Sequence, residues 1–251
     1  MNRRTRTPSI EAVAVVVPVR NEEERLERCL SAIARAVGGL GSLGGLGGRV
    51  RAQVVLALDG CTDGSAAIAA RWPFATVSLD SVGVGRARAA GVEAALAALG
   101  GAHHERVWIA NTDADSQVPE NWLSAQLGLA NAGWDVVLGT VAPASEDLPP
   151  ELRHSPLARA ATAGQPVYGA NLGVRASSYE RVHGFSALRE HEDVTLVDAL
   201  RRDGAAVTVT YEAPVLTSGR LVGRSPGGYA GYLREAAARA AVTDGASPVL
   251  S

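Results

Sequence analysis

The chain contains no lysine, and all 24 of its basic residues are arginine. A Walker A phosphate loop, a Schiff base and a pyridoxal phosphate site each need a lysine amine, so those chemistries are excluded. Compositional bias, which also gives many Ala and Gly, is explanation enough for the lack; the exclusion holds whatever its cause. Cysteine is nearly absent too. Cys29 falls on an expected helix face and Cys61 in a loop, and two such residues give no disulfide framework, so a reducing cytoplasm is the expected setting. Long apolar runs are missing. The stretch after Arg3, Arg4 and Arg6 is too short to span a bilayer, is broken by Pro18 and runs into Glu22, Glu23 and Glu24. Neither a signal peptide nor an integral membrane segment is expected. With a net charge of −2 and no dominant basic patch, no nucleic-acid partner is expected either. What remains is 251 residues, 47% of them hydrophobic, enough for one large or two small globular domains.

The stretch Val107-Trp108-Ile109-Ala110-Asn111-Thr112-Asp113-Ala114-Asp115 stands out, because an apolar run ends in two carboxylates one small residue apart. In an extended backbone residues two apart point the same way, so Asp113 and Asp115 can face one ligand. Carboxylates held that close repel unless a cation, or a donor-rich ligand such as a ribose, lies between them. The plainer alternative makes them loop acids ahead of a helix beginning at Pro119.

Other apolar runs alternate with helical patterns. Strands are expected at Ala12 to Val17, Gln53 to Leu58, Ala75 to Leu79, Arg106 to Ala110, Asp135 to Gly139, Val167 to Val174 and Val207 to Tyr211. Helices are expected after Asn21, where Glu24 completes a capping-box spacing, after Ser65, from Gly83 to Leu99, from Pro119, over Ser177 to Val182, from His191 to Asp203 and after Pro226. Gly38 to Gly48 reads as a flexible connection. Residues 143–166, with Pro149, Pro150 and Pro156 amid charge, form a loop that is either a lid or a surface excursion, and Asp244 to Ser251 a frayed tail. Alternating strands and helices give a mostly parallel sheet covered on both faces, which binds ligands beyond the carboxyl ends of its strands. Three of those ends carry polar clusters: Arg20-Asn21-Glu22, Asp59 to Asp63, and Asp113 to Asp115.

This ordered series resembles the family 2 glycosyltransferases of the GT-A fold over about Val13 to Leu200. Val15-Val16-Val17-Pro18-Val19-Arg20-Asn21-Glu22 is similar to the family's opening strand and nucleotide-contacting turn, and Leu58-Asp59-Gly60-Cys61-Thr62-Asp63-Gly64-Ser65 to its second motif, of whose two adjacent aspartates only Asp59 is kept. Gly83-Val84-Gly85-Arg86 resembles the glycine-containing segment beside the nucleotide, and Asp113-Ala114-Asp115 the Asp-x-Asp. Gly169-Ala170-Asn171-Leu172 resembles the acceptor-side strand, Gly184-Phe185 the turn after it, and Glu192-Asp193 the acidic pair holding the catalytic base.

The resemblance implies an α/β, Rossmann-like, mostly parallel sheet with an acceptor-side extension. Residues 10–225 would form one catalytic domain, with 10–118 binding the nucleotide-sugar and 119–225 the acceptor, followed by a C-terminal helix and tail over 226–251. It implies metal-dependent, inverting transfer of a sugar from a UDP- or GDP-sugar to a hydroxyl acceptor. Pro18, Arg20, Asn21, Glu22, Asp59, Gly85, Arg86 and Asp113 would contact the donor, Asp115 would bind Mg or Mn, and Asp193 or Glu192 would be the base. His191 is a weaker metal candidate, because magnesium prefers oxygen, and Arg220 either meets pyrophosphate or is a surface residue. A nicotinamide dehydrogenase is disfavoured, since Arg88 stands where a third glycine is required. A sugar nucleotidyltransferase lacks its lysine-containing opening here. A non-catalytic nucleotide-sugar-binding protein of the same fold stays open.

Overall fold

Strand β1 (Ala12–Val19) sends Val13, Val15, Val17 and Val19 into one apolar layer and Ala12, Ala14 and Val16 into another. That is the period-two division of a strand covered on both faces. β4 (Val107–Asn111) divides likewise, with Trp108 and Ala110 on the first side and Val107 and Ile109 on the second. The protein is described from a computed structural model covering residues 8–40, 50–148, 153, 167–220, 229–231 and 233–234. Most of the expected glycine-rich connection, Pro149, Pro150, Pro156 and Pro166, most of the helix after Pro226, and the tail from Asp244 lie outside the described residues.

The two central strands belong to a seven-stranded sheet completed by β2 (Arg51–Asp59), β3 (Ala75–Leu79), β5 (Val136–Pro143), β6 (Leu172–Arg175) and β7 (Val207–Thr217). Its order is β3-β2-β1-β4-β6-β5-β7, and only β6 runs antiparallel to its neighbours. Helices α1 (Leu26–Gly39), α2 (Ser65–Ala69) and α4 (Trp122–Asn131) cover the first face; α3 (Val84–Leu99), α5 (Ala176–Arg181) and α6 (Glu192–Arg202) cover the second. In α1 the buried Leu26, Leu30 and Ile33 recur at helical spacing, each worth about 1.5–3 kcal/mol of burial. Across the sheet, a Cβ at Gly91 would sit 2.6 Å from Val16 Cγ1, so α3 can lie this close to β1 only with glycine there. The direction of chain progression reverses between β1 and β4, which opens a crevice at their carboxyl ends.

Three local expectations are corrected. Asn21 does not cap α1, which begins at Leu26 with Arg25 before it and no side-chain cap; Asn21 is left-handed (φ 50°) and bonds the neighbouring loop instead. The expected strand from Val167 is a short 3-10 turn, Gly169–Asn171, followed by a four-residue β6. Asn171 explains the turn: its side chain donates to the carbonyls of Thr140 and Ala213, both at 2.9 Å, and accepts from Trp122 Nε1 at 2.9 Å and Gln126 Nε2 at 3.2 Å. Those buried bonds hold the backbone out of the ladder. Finally, β7 does not stop at Tyr211 but continues to Thr217.

Candidate active site

The first two polar loops are joined to each other before any ligand is considered. Asn21 Oδ1 accepts from Thr62 N at 2.8 Å, Ser65 Oγ accepts from Glu22 N at 2.8 Å, Asp63 Oδ2 accepts from Glu23 N at 3.0 Å, and Glu23 Oε2 accepts from Gly64 N at 2.6 Å. The turns after β1 and β2 are therefore tied into one rim. Asp59, buried at the end of β2, accepts from Val82 N at 2.6 Å and Gly83 N at 3.0 Å, and pairs with Arg20 at 3.5 Å. It thereby fixes the start of α3.

The Asp-x-Asp is a turn rather than a strand extension. β4 ends at Asn111, and Asp113 O accepts from Ser116 N at 3.1 Å. Both carboxylates still border one cleft of about 740 Å³, a volume in the range of small-molecule sites. Each already has a guanidinium: Arg88 Nη2 lies 2.5 Å from Asp113 Oδ1, and Arg220 Nη2 lies 3.0 Å from Asp115 Oδ2. Burial, then the charges of Asp113 and Glu22, push the Asp115 carboxyl up to about 6, against the opposing pull of Arg220.

Arg88 links this pair to the N-terminus of α6, which borders the same cleft. His191 is left-handed (φ 59°) and turns the chain so that the next two acids diverge. Glu192 goes inward, where it is 5% exposed and accepts from Arg88 Nε at 3.1 Å. Burial raises its pKa, with Arg88 opposing. Asp193 lines the cleft, its Oδ2 accepting from Gly169 N at 2.7 Å and its Oδ1 from its own helix at Val194 N, 2.8 Å. A Cβ at Gly169 would stand 2.3 Å from Arg88 Nη2, so a glycine is required where the turn crosses the arginine.

Pro18, Arg20, Glu22, Asp59, Asp113, Asp115, Glu192 and Asp193 thus border a common cleft, as does His191. Asn21, Gly85 and Arg86 are not among its lining residues. Gly85 is buried against the 186–188 backbone, and Arg86 is exposed on the outer side of α3. The cation the site uses from that helix is Arg88, two residues on. Its position was legible: 88, 91, 92, 95 and 99 form the buried stripe of α3, and a charge on such a stripe requires a carboxylate partner. Sequence reasoning also missed Thr217 and Ser218 from β7, and Tyr168 and Tyr229, which meet edge to face with centroids 5.8 Å apart.

Among the described residues no three His, Cys, Asp or Glu side chains are grouped to hold a metal ion. The donor set nevertheless fits a hard cation that takes most of its ligands from a diphosphate and water, since Asp115 offers carboxylate oxygen on the border of the cleft. Among the described residues no helix is long and apolar enough to cross a membrane.

A mostly parallel sheet with acidic strand ends at its switch point and one antiparallel strand beside them is the architecture of the GT-A glycosyltransferases. The chain belongs to glycosyl transferase family 2, whose family model matches residues 14–188. Solved structures agree on the fold. A mannosyltransferase from Pyrobaculum calidifontis, in complex with GDP-Man and Mn2+, superposes with a TM-score of 0.59 at 20% identity, over 96% of this chain and 67% of that one. TarS of S. aureus (residues 1–349) gives 0.59 at 13%, over 83% and 60%. Glucosyl-3-phosphoglycerate synthase from Mycobacterium tuberculosis, in complex with Mn2+, UDP-Glc and phosphoglyceric acid, gives 0.55 at 17%, over 84% and 73%. The chain therefore spans only about 60% of the TarS structure it matches. No curated protein sequence matches it.

Proposed function

We propose that the protein transfers a sugar from a nucleotide-diphospho-sugar to a hydroxyl acceptor, with inversion and with a divalent cation. The observation that carries this reading is the placement of Asp115, on the turn after β4, and Asp193, at the N-terminus of α6, around one cleft, in a chain of family 2. The rim formed by Pro18, Arg20, Glu22 and Asp59 receives the nucleoside, and Asp113, steadied by Arg88, faces the ribose. Asp115 would hold the cation, Mg or Mn. When bound, the cation supplies positive charge where the departing diphosphate gains negative charge. GDP-Man and UDP-Glc with Mn2+ in the two related structures support a donor of this class.

At the other wall an acceptor hydroxyl must lose a proton as it attacks. Asp193 is the acid suited to take it, because Glu192, though it also borders the cleft, is 5% exposed and held by Arg88, whereas Asp193 is less buried and has its orientation set by two backbone N–H groups. A retained fold without turnover is the competing reading. Donor consumption separates the two.

Asp115→Ala is expected to weaken UDP or GDP binding in saturating Mn2+ by about tenfold or more, the order for losing a buried charged contact, while metal-free binding changes little. Isothermal titration calorimetry measures both. Equal affinity of variant and wild type in Mn2+ would show that Asp115 is not the metal ligand.

A further inference from the structure

Arg220, three residues beyond the end of β7, brings a cation to two carboxylates that border the cleft, Glu22 and Asp115. Its Nη2 lies 3.0 Å from Glu22 Oε1 and 3.0 Å from Asp115 Oδ2, and its Nη1 lies 3.4 Å from Glu22 Oε2. One planar guanidinium therefore bridges the turn after β1 and the turn after β4. Glu22 is 6% exposed and the Asp115 side chain 14%, so both carboxylates are largely withdrawn from water and gain much from a direct counter-charge. The Arg220 side chain itself is 29% exposed. It sits on a short irregular segment, tied back through its own N–H to Ser218 Oγ at 3.4 Å, with Ser218 Oγ in turn donating to Asp147 Oδ2 at 3.0 Å.

We propose that Arg220 is a tethered counter-cation that holds Glu22 and Asp115 in the donor-free protein and competes with a divalent cation for Asp115. The inference rests on the reading of Asp115 as the metal ligand. A guanidinium and a divalent cation at one carboxylate repel each other, so the Arg220 contact opposes metal entry and metal entry favours arginine release. Its consequence is a weak affinity for metal alone. A donor diphosphate changes the balance, because its oxygens accept the displaced guanidinium in bidentate fashion as well as ligating the metal. Metal and nucleotide then bind together more tightly than either binds singly, a coupling that Arg220 mediates.

The test is a Mn2+ titration of the full chain without nucleotide, with free Mn2+ followed by electron paramagnetic resonance. Arg220→Ala is expected to bind Mn2+ about tenfold more tightly than wild type, within the range of ordinary coupling energies, and UDP is expected to improve Mn2+ affinity less in the variant. Arg220→Gln keeps hydrogen-bonding capacity and removes the charge; it serves where the alanine variant folds poorly and should move in the same direction. Thermal unfolding supplies a second readout. Without metal Arg220→Ala should melt below wild type, and Mn2+ should restore more of its stability. Mn2+ affinity unchanged or weaker in both variants, with binding still abolished by Asp115→Ala, overturns the counter-cation role alone. Absence of Mn2+ binding in every variant, and in the presence of UDP, overturns both that role and the metal assignment.

Discussion

Asp193→Asn is expected to lower turnover about 100-fold or more while leaving nucleotide affinity nearly unchanged, because a general base acts mainly in the transition state. Release of UDP or GDP from the donor, with water as acceptor where no better one is in hand, gives the rate, and calorimetry gives the affinity. The geometry sharpens the comparison with its neighbour. Glu192 borders the cleft but is largely buried against Arg88, so Glu192→Gln, which keeps a hydrogen bond to Arg88 Nε, should retain much of the rate. Asparagine at 193 cannot accept both backbone N–H groups as the carboxylate does, so a stability loss of about 1 kcal/mol accompanies the change. A dead Glu192→Gln beside an active Asp193→Asn would exchange the roles.

The second large effect concerns stability. Arg88→Met removes a side chain only 2% exposed that pairs with Glu192 and Asp113 and whose Cζ stands 5.8 Å from the Phe185 ring centroid. Methionine fills much of the volume but leaves Glu192 charged and buried, which costs about 3–5 kcal/mol when one partner of a buried pair is deleted. Urea unfolding should show that loss as a lower midpoint with an unchanged slope. The double variant Arg88→Met with Glu192→Met should recover most of it, because the carboxylate that then loses its partner, Asp113, has a side chain 36% exposed and is reached by water. A single variant as stable as wild type would mean that water reaches Glu192 and the pair carries little.

Much of this architecture was legible in the sequence because its cues are short-range. Continuous Val-rich runs marked β1 and β4 as strands buried on both faces, and the three polar clusters that end strands are the ones that meet at the switch point. The missed features depend on long-range contacts. β7 was cut short at Tyr211 because its alternation slips phase: Tyr211 and Glu212 are both exposed, and burial then resumes at Ala213, Val215 and Thr217. That slip coincides with the register shift between Gly139 and Val141 on the partner strand, a bulge that neither segment announces alone. Asn171 looked like one more strand residue, and only its four buried bonds to other elements make it a turn former. Arg86, expected beside the nucleotide, is exposed, and it is Arg88, two residues on, that borders the cleft. Glycine spacing drew attention to the start of α3, whereas the buried stripe of the same helix pointed to Arg88.

The most direct measurement follows donor consumption by proton NMR in the presence of Mn2+, recording the first-formed product from an α-linked nucleotide-sugar before it can mutarotate. Single displacement assisted by Asp193 predicts a β product that wild type forms and Asp193→Asn forms about 100-fold more slowly or slower still. An α product would contradict inversion, and a folded protein that binds the donor yet never consumes it would contradict the assignment of transfer itself.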